Sequence, residues 1–509
     1  VHNKTTSILF AIATWSLLLL RFGYQYGTGD QVELLPYTLF LHNPLLYPHD
    51  FFIQGLNASI PNERTVMAYL LLPFVNHLEL VCFLLQFLVT VILVLGLEQL
   101  ALRFIKNRYI AWLAILTALI PLNDFTLGNV DLYSECLQAS GVTVAFVVWA
   151  INLFLDKRYL RASILISIGT LIQVLDGLDI MMVFSVIIII QWLTNKTTFK
   201  QVLVFIGLFA VTAGSFLVLI LYAKSGNSNL DNETLFKILF SFRHPHHFIF
   251  EAFPKVKTIV FFILAFIGLV FYAKRSAVVF QYLLLGVLGI AFYAVCTSYF
   301  HIIFIGNFQF YKISEWMKFF GVVALFGYAE MWFAKWATFK FGNAVEQSLI
   351  VLVIALSLTI TIKFNSYLPY SVPHQIFALK QQEDIITICE AIKDNTPNDA
   401  VFIQPFDNTE LKYYAQRSSY VEFKANVRHK SYVGEWYSRV HQVFGIGDDL
   451  AVQGFKLQQQ ADEHFYHLSI EELNTLKQNG VTHVLTKKQY PLTEGVLILS
   501  NNTYAVYQL

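Results

Sequence analysis

The sequence predicts a polytopic α-helical membrane protein with a small α/β region at its C-terminal end. Three observations predict it. Of 509 residues, 56% are hydrophobic and 14% charged, where a soluble domain carries about 25% charged residues. Apolar runs near the bilayer-crossing length of about 20 residues recur from residue 6 to residue 366. Beyond about 370 the runs shorten, charges rise and turn signals appear, as in Thr396-Pro397-Asn398-Asp399. The net charge of +1 gives no basis for nucleic-acid binding, which draws on concentrated positive charge. Cys82, Cys136, Cys296 and Cys389 have no spacing that suggests a zinc site or a disulfide framework.

The first span is expected over 6–25. Lys4 precedes it and no small-residue cleavage site follows, so it reads as a retained anchor. Further spans are expected over 78–102, 108–123, 132–155, 159–175, 177–194, 200–222, 256–273, 276–297, 312–334 and 345–366, about eleven in all. Lysines and arginines collect in alternate connections: Arg103, Lys106 and Arg108; Lys157, Arg158 and Arg161; Lys196 and Lys200; Lys274 and Arg275; Lys335 and Lys340. Positive charge favours the cytoplasmic side, so the N-terminus is expected inside and the tail outside. The opposite connections carry Asp30, Glu33 and Asp50; Asn123, Asp124, Asp131 and Glu135; Asp176 and Asp179; and Arg243 to His247. Two of them are long, 26–77 and 223–255.

The chain then divides into a transmembrane part, 1–369, and an extracytoplasmic α/β part, 370–509. The tail reads as helix 378–394, strand 400–405, helix 408–416, strand 419–424, helices 432–444, 454–466 and 470–478, and strands 481–486, 495–499 and 503–508. Strands interleaved with helices point to a small α/β unit.

Chemistry-capable residues gather in the expected outer connections. Asp30 and Glu33 stand three apart, on one face of a helix beginning near Asp30. Two readings fit Asp30: a general base at the membrane surface, or the N-cap of a helix starting at Gln31. The same two acids have the oxygen chemistry for a divalent ion, Mg or Mn. In Tyr47-Pro48-His49-Asp50, Asp50 fits a helix cap or a site acid, and His49 a surface or a site residue. Arg243-His244-Pro245-His246-His247 offers a guanidinium fork and imidazoles for a phosphate; its other reading is an interfacial loop. Asp176 and Asp179 are read as the turn between two short spans. Lys312, Glu315 and Lys318 share a helix face. Lys312, a lysine at an outer helix end, is a candidate anion partner or one half of an intrahelical pair.

These pieces resemble the GT-C superfamily of integral membrane glycosyltransferases. The likeness lies in a first helix, a long outer loop with an acid just after that helix, some ten further spans and an outer soluble domain. More closely, GDQVELLPY, HNPLLYPHDFF, FRHPHHF, TPNDAVFIQP and QRSSYVEFK are similar to a group of bacterial polytopic membrane proteins, over nearly the whole chain. The GT-C likeness implies transfer of a sugar from a polyprenyl-phosphate carrier to an extracytoplasmic lipid, glycan or protein. It implies Asp30 as base, Glu33 and Asp50 as supporting acids, and the cluster of Arg243, His244, His246 and His247 as a carrier-phosphate site; His49 and Lys312 stand beside it as carrier-binding candidates from their own positions. The paired acids of many GT-C first loops are here split as Asp30 and Glu33. Two rivals stand beside this reading: a non-catalytic scaffold subunit that binds other envelope membrane proteins, and a transporter, which would place ionisable residues at mid-membrane.

Overall fold

Alternation of apolar runs with polar breaks produces a helical bundle capped by a mixed sheet. The computed structural model describes residues 4–226, 230–336, 383–447, 449–450 and 453–509. The expected span 345–366 lies outside the described residues.

Helix α1 (Lys4–Phe22) leads into three short helices, α2 (Gln31–His42), α3 (Phe51–Ala58) and α4 (Thr65–Leu71). A 3-10 turn, Leu72–His77, with non-helical backbone at Phe74, joins α4 to α5 (Leu78–Ala101), and Thr65–Ala101 forms a kinked apolar rod of 37 residues. Helix α5 itself begins at Leu78, where the span over 78–102 is expected. Next come α6 (Arg108–Leu119), α7 (Ala139–Leu155), α8 (Tyr159–Ile172), α9 (Val174–Leu193) and α10 (Phe199–Ala223), the last containing one π turn, Ala210–Gly214. Residues 132–138, expected to open a span, are irregular. The chain turns at Gly128 and Asn129, both at positive φ, and Asn123 donates to the Tyr133 carbonyl at 2.9 Å.

The expected turn holding Asp176 and Asp179 shrinks to a single residue, Gln173, at φ −137° and ψ 113°. Its side-chain oxygen accepts from the Leu175 and Asp176 amides at 2.7 and 3.1 Å, which satisfies the first turn of α9. Both aspartates therefore lie inside α9 rather than in a connecting turn.

Helix α11 (Asn232–Phe236) and a π turn, Lys237–Arg243, precede α12 (Pro245–Phe248), α13 (Lys255–Tyr272), α14 (Ala277–Ser298) and α15 (Ser314–Trp336). Among the described residues, six helices are long and apolar enough to cross a membrane: α1, the Thr65–Ala101 rod, α9, α10, α13 and α14. Helices α6, α7 and α8 are shorter and also apolar. Large apolar side chains such as Val211, Leu219, Phe266 and Phe292 face outward. Only lipid solvates a surface of that kind at little cost, so the chain is an integral membrane protein.

After α16 (Glu383–Asn395) come strands β1 (Val401–Ile403) and β2 (Ser418–Ser419). Helices α17 (Lys430–Phe444), α18 (Gln458–Phe465) and α19 (Ile470–Gln478) follow, then β3 (His483–Lys487), β4 (Val496–Ser500) and β5 (Tyr504–Gln508). The sheet runs β2-β1-β3-β5-β4, with β1 parallel to β2 and β3, and β5 antiparallel to β3 and β4. Two tail expectations change. The helix over 408–416 is one π turn, Leu411–Ala415, and the strand over 419–424 keeps only Ser418–Ser419. The physical reason is Glu422. It leaves the sheet line to accept from the Ser419 hydroxyl at 3.0 Å and to pair with Lys412 at 2.7 Å, with both charged side chains buried.

Candidate functional site

Asp30 sits where the chain leaves α1 and doubles back against residues 134–138. Gly29 lies at φ +57°, and a Cβ there would stand 2.5 Å from the Gln138 side-chain nitrogen and 3.1 Å from the Cys136 sulfur. A glycine removes that clash and tolerates the left-handed backbone. Gln31 fixes the other side: its side chain accepts from the Gly27 amide at 2.8 Å and donates to the Leu137 carbonyl at 3.1 Å. Asp30 itself occupies the N-cap position of α2, but its side chain makes no capping bond. Its carboxylate is exposed. The capping alternative is thereby not used, and the acid stays free to meet a ligand.

Five cations feel that carboxylate. Asp30 favours the charged forms of Arg64, Arg243, Lys312, Lys424 and Arg428. They come from four separate stretches of chain: the first loop, the turn after α11, the lead into α15 and the tail. Burial lowers the pKa of Arg64, Arg243, Lys424 and Arg428 from their ordinary values, and Asp30 opposes the shift in each. Mutual repulsion adds to the burial effect, since Arg428 works against both Arg64 and Arg243.

Not all five are available to a ligand. Arg64 is held by Glu33 and, at 2.9 Å, by Glu63. Lys312 pairs with Asp176 at 2.7 Å, a cross-helix partner in place of the intrahelical Glu315. Arg243 is different. Its side chain is 3% exposed and lies against the rings of Phe423 and Phe455, each at 5.0 Å. One terminal nitrogen donates to the Lys424 carbonyl at 2.5 Å, while Nε and Nη1 have no hydrogen-bond partner among the described residues. A buried guanidinium with two idle donors is costly unless an anion completes it. Arg428 lies over the Phe248 ring at 5.1 Å, so the tail supplies two further cations, Lys424 and Arg428.

The three histidines of the 243–247 run cluster with their rings tilted to one another. His246 and His247 have ring centres 4.1 Å apart, and His244 lies 6.4 and 6.3 Å from them. Burial and the Arg243 charge push His244 well below the ordinary imidazole range, and His246 down to about 4. Burial and His246 lower His247 as well. All three are therefore neutral near pH 7. His244 Nδ1 reaches the Leu239 carbonyl at 3.0 Å and His247 Nδ1 the Gly128 carbonyl at 2.6 Å. A nitrogen facing a carbonyl must carry the proton, so Nε2 of each neutral ring is an acceptor. Such rings suit hydroxyl donors better than phosphate oxygens.

Asp50 and His49 lie elsewhere. The Asp50 carboxylate is fully buried, accepts from the Ile53 amide at 2.9 Å as the N-cap of α3, and accepts from the Ser419 amide at 2.8 Å. The His49 amide faces the Ser418 hydroxyl at 3.3 Å, and Tyr47 donates to the Lys412 carbonyl at 2.6 Å. This stretch clamps the tail onto the first loop. The space beside it, lined by Asp50, Phe52, Lys412, Ser419, Glu422 and Trp436, is too tight to admit a water molecule. Glu33 is likewise committed, through Arg64.

The divalent ion expected at Asp30 and Glu33 does not fit these residues. Glu33 is neutralised by Arg64, and the remaining carboxylate faces a ring of cations that would repel a second positive charge. Among the described residues, no group of three or more His, Cys, Asp or Glu side chains is arranged to hold a metal.

A family model described as a domain of unknown function (DUF6798) matches residues 383–443. The comparison with curated proteins finds no match. Among solved structures, the chain is similar to ArnT from Cupriavidus metallidurans bound to undecaprenyl phosphate. The identity is 11% and the TM-score 0.48, over 99% of this chain and 97% of that one. It is also similar to the Archaeoglobus fulgidus oligosaccharyltransferase tethered to an acceptor peptide, at 11% identity and TM-score 0.45, over 95% of this chain and 69% of that one. Likeness at that level assigns no activity.

Proposed function

We propose that this chain is a membrane glycosyltransferase of the GT-C type that takes a sugar from a polyprenyl-phosphate carrier at the extracytoplasmic face of a bacterial inner membrane. The observation that carries the reading is a buried guanidinium, Arg243, with two idle donors, whose charged form is favoured by Asp30, a carboxylate that makes no capping bond. In the reaction, Asp30 takes the proton from an acceptor hydroxyl. The acceptor oxygen bonds to the anomeric carbon as the carbon–phosphate-oxygen bond breaks. The phosphate leaves with the electron pair, and Arg243, Lys424 and Arg428 stabilise its charge. Attack opposite the leaving group inverts the anomeric centre. The neutral histidines receive sugar or acceptor hydroxyls through Nε2. Arg64 and Lys312, already paired, shape the field instead of gripping the phosphate.

The scaffold reading draws on one specific observation, the buried clamp of Asp50, Tyr47 and Lys412 that makes the first loop a seat for the tail. The two readings part at Asp30. This carboxylate is exposed and bonds to no cap, so Asp30→Asn leaves folding and protein level unchanged. In cells, the glycosyltransferase reading expects this variant to lose an envelope glycan product. Unaltered glycans in a normally expressed Asp30→Asn strain would rule catalysis out.

A further inference from the structure

A groove of about 520 Å³ opens between the start of α8 and the start of α10. It is far from Asp30. Helix α8 is about 21 Å long at 1.5 Å per residue, and its opposite end adjoins α9, where Asp176 meets Lys312. The groove is lined by Lys157, Arg158, Arg161 and Lys200 together with Tyr159, Leu160, Gln201 and Val204. No carboxylate lines it. The nearest acid in sequence, Asp156, is held by Arg103 at 2.8 Å. The walls are fixed: Ser163 donates to the Phe205 carbonyl at 2.8 Å across α8 and α10, and Tyr159 donates to Gln191 at 2.9 Å.

We propose that this groove binds the headgroup of an anionic phospholipid from the surrounding bilayer. Two features argue for a lipid over a free anion. The cations share the groove with two apolar residues, Leu160 and Val204, of which Leu160 is exposed. That apolar lining continues into outward-facing residues, Ile164 on α8 and Leu203 on α10, along which acyl chains can lie. A free phosphate uses the cations alone; a phosphatidylglycerol uses both. The site is independent of the chemistry assigned to Asp30.

The test is native mass spectrometry of the purified full chain with added dioleoylphosphatidylglycerol, dioleoylphosphatidylcholine or inorganic phosphate. Each basic residue near an anionic lipid surface is worth about fivefold in binding, so Arg158→Gln/Arg161→Gln/Lys200→Gln weakens phosphatidylglycerol retention by about a hundredfold. The charge-preserving pair Lys157→Arg/Lys200→Arg retains it, which separates loss of charge from loss of fold. Retention of phosphatidylcholine equal to phosphatidylglycerol, unchanged retention in the triple variant, or competition by millimolar inorganic phosphate would each overturn the proposal.

Discussion

Arg243 was visible in the sequence as a guanidinium among histidines; its partners were not. Arg428 and Lys424 lie some 180 residues downstream, in a tail stretch dense in charge and aromatics that can bind a glycan or face the membrane part. No spacing rule joins residues that distant. What placed them is the packing of the tail on the turn after α11, where Phe242 meets Phe423 at 5.6 Å and Tyr437 at 5.7 Å. The histidines were read as phosphate donors from residue type alone. Their Nδ1 contacts to carbonyls and their neutrality come only from three-dimensional surroundings. A pH prediction follows at this scale. His246 titrates near 6.5 when unfolded but is pushed down to about 4 when folded, by burial, Arg243 and Lys424. Between those values the unfolded chain binds more protons, so stability is complete above about 6.5 and declines as pH falls toward 4. Melting temperature followed from pH 7.5 to 4.5 should drop, and His246→Gln should drop less steeply. Identical slopes would show that His246 does not carry the effect.

At the scale of elements, apolar runs located the helices well, because bilayer length is written directly into sequence. Breaks were harder. Gln173 ends one helix and caps the next within a single residue, so no loop composition marked the join between α8 and α9. The helix expected over 408–416 failed because Lys412 and Glu422 are recruited into a buried pair that local propensity does not encode. Asp50 is the instructive middle case: the cap reading came from sequence, but the second bond, to the Ser419 amide, did not. That double role sets a magnitude. Asp50→Ala removes an N-cap worth about 1 kcal/mol and strands a buried amide at about 1–3 kcal/mol. The variant should unfold earlier by about 2–4 kcal/mol, and protease should reach the 405–425 segment before the helical bundle. Equal resistance to cleavage would mean that the clamp does not hold the tail. Asp50→Asn, which keeps an acceptor oxygen, should lose less.

Taken whole, the molecule places its free acid near the beginning of the chain and its idle cations in the middle and the tail. The clamp at Asp50 holds the tail against the first loop. A single apolar core runs through both, containing Val94 and Phe240 of the helical part with Phe423 and Trp436 of the tail. The tail is thus a wall of the site and not an appendage. Sequence reasoning supplied the bundle and the α/β character of the tail. Asp30 and Arg243 enter the proposed site as candidates from the same reading, and the tail cations Lys424 and Arg428 join them only through the fold. The most direct test is an experimental density map of the full chain in lipid nanodiscs with a polyprenyl phosphate added. The account predicts phosphate density in contact with the Arg243 guanidinium, flanked by Lys424 and Arg428, with the Asp30 carboxylate facing the same space. A map that places the lipid phosphate away from Arg243, or Asp30 and Arg243 on separate faces of the bundle, would contradict it.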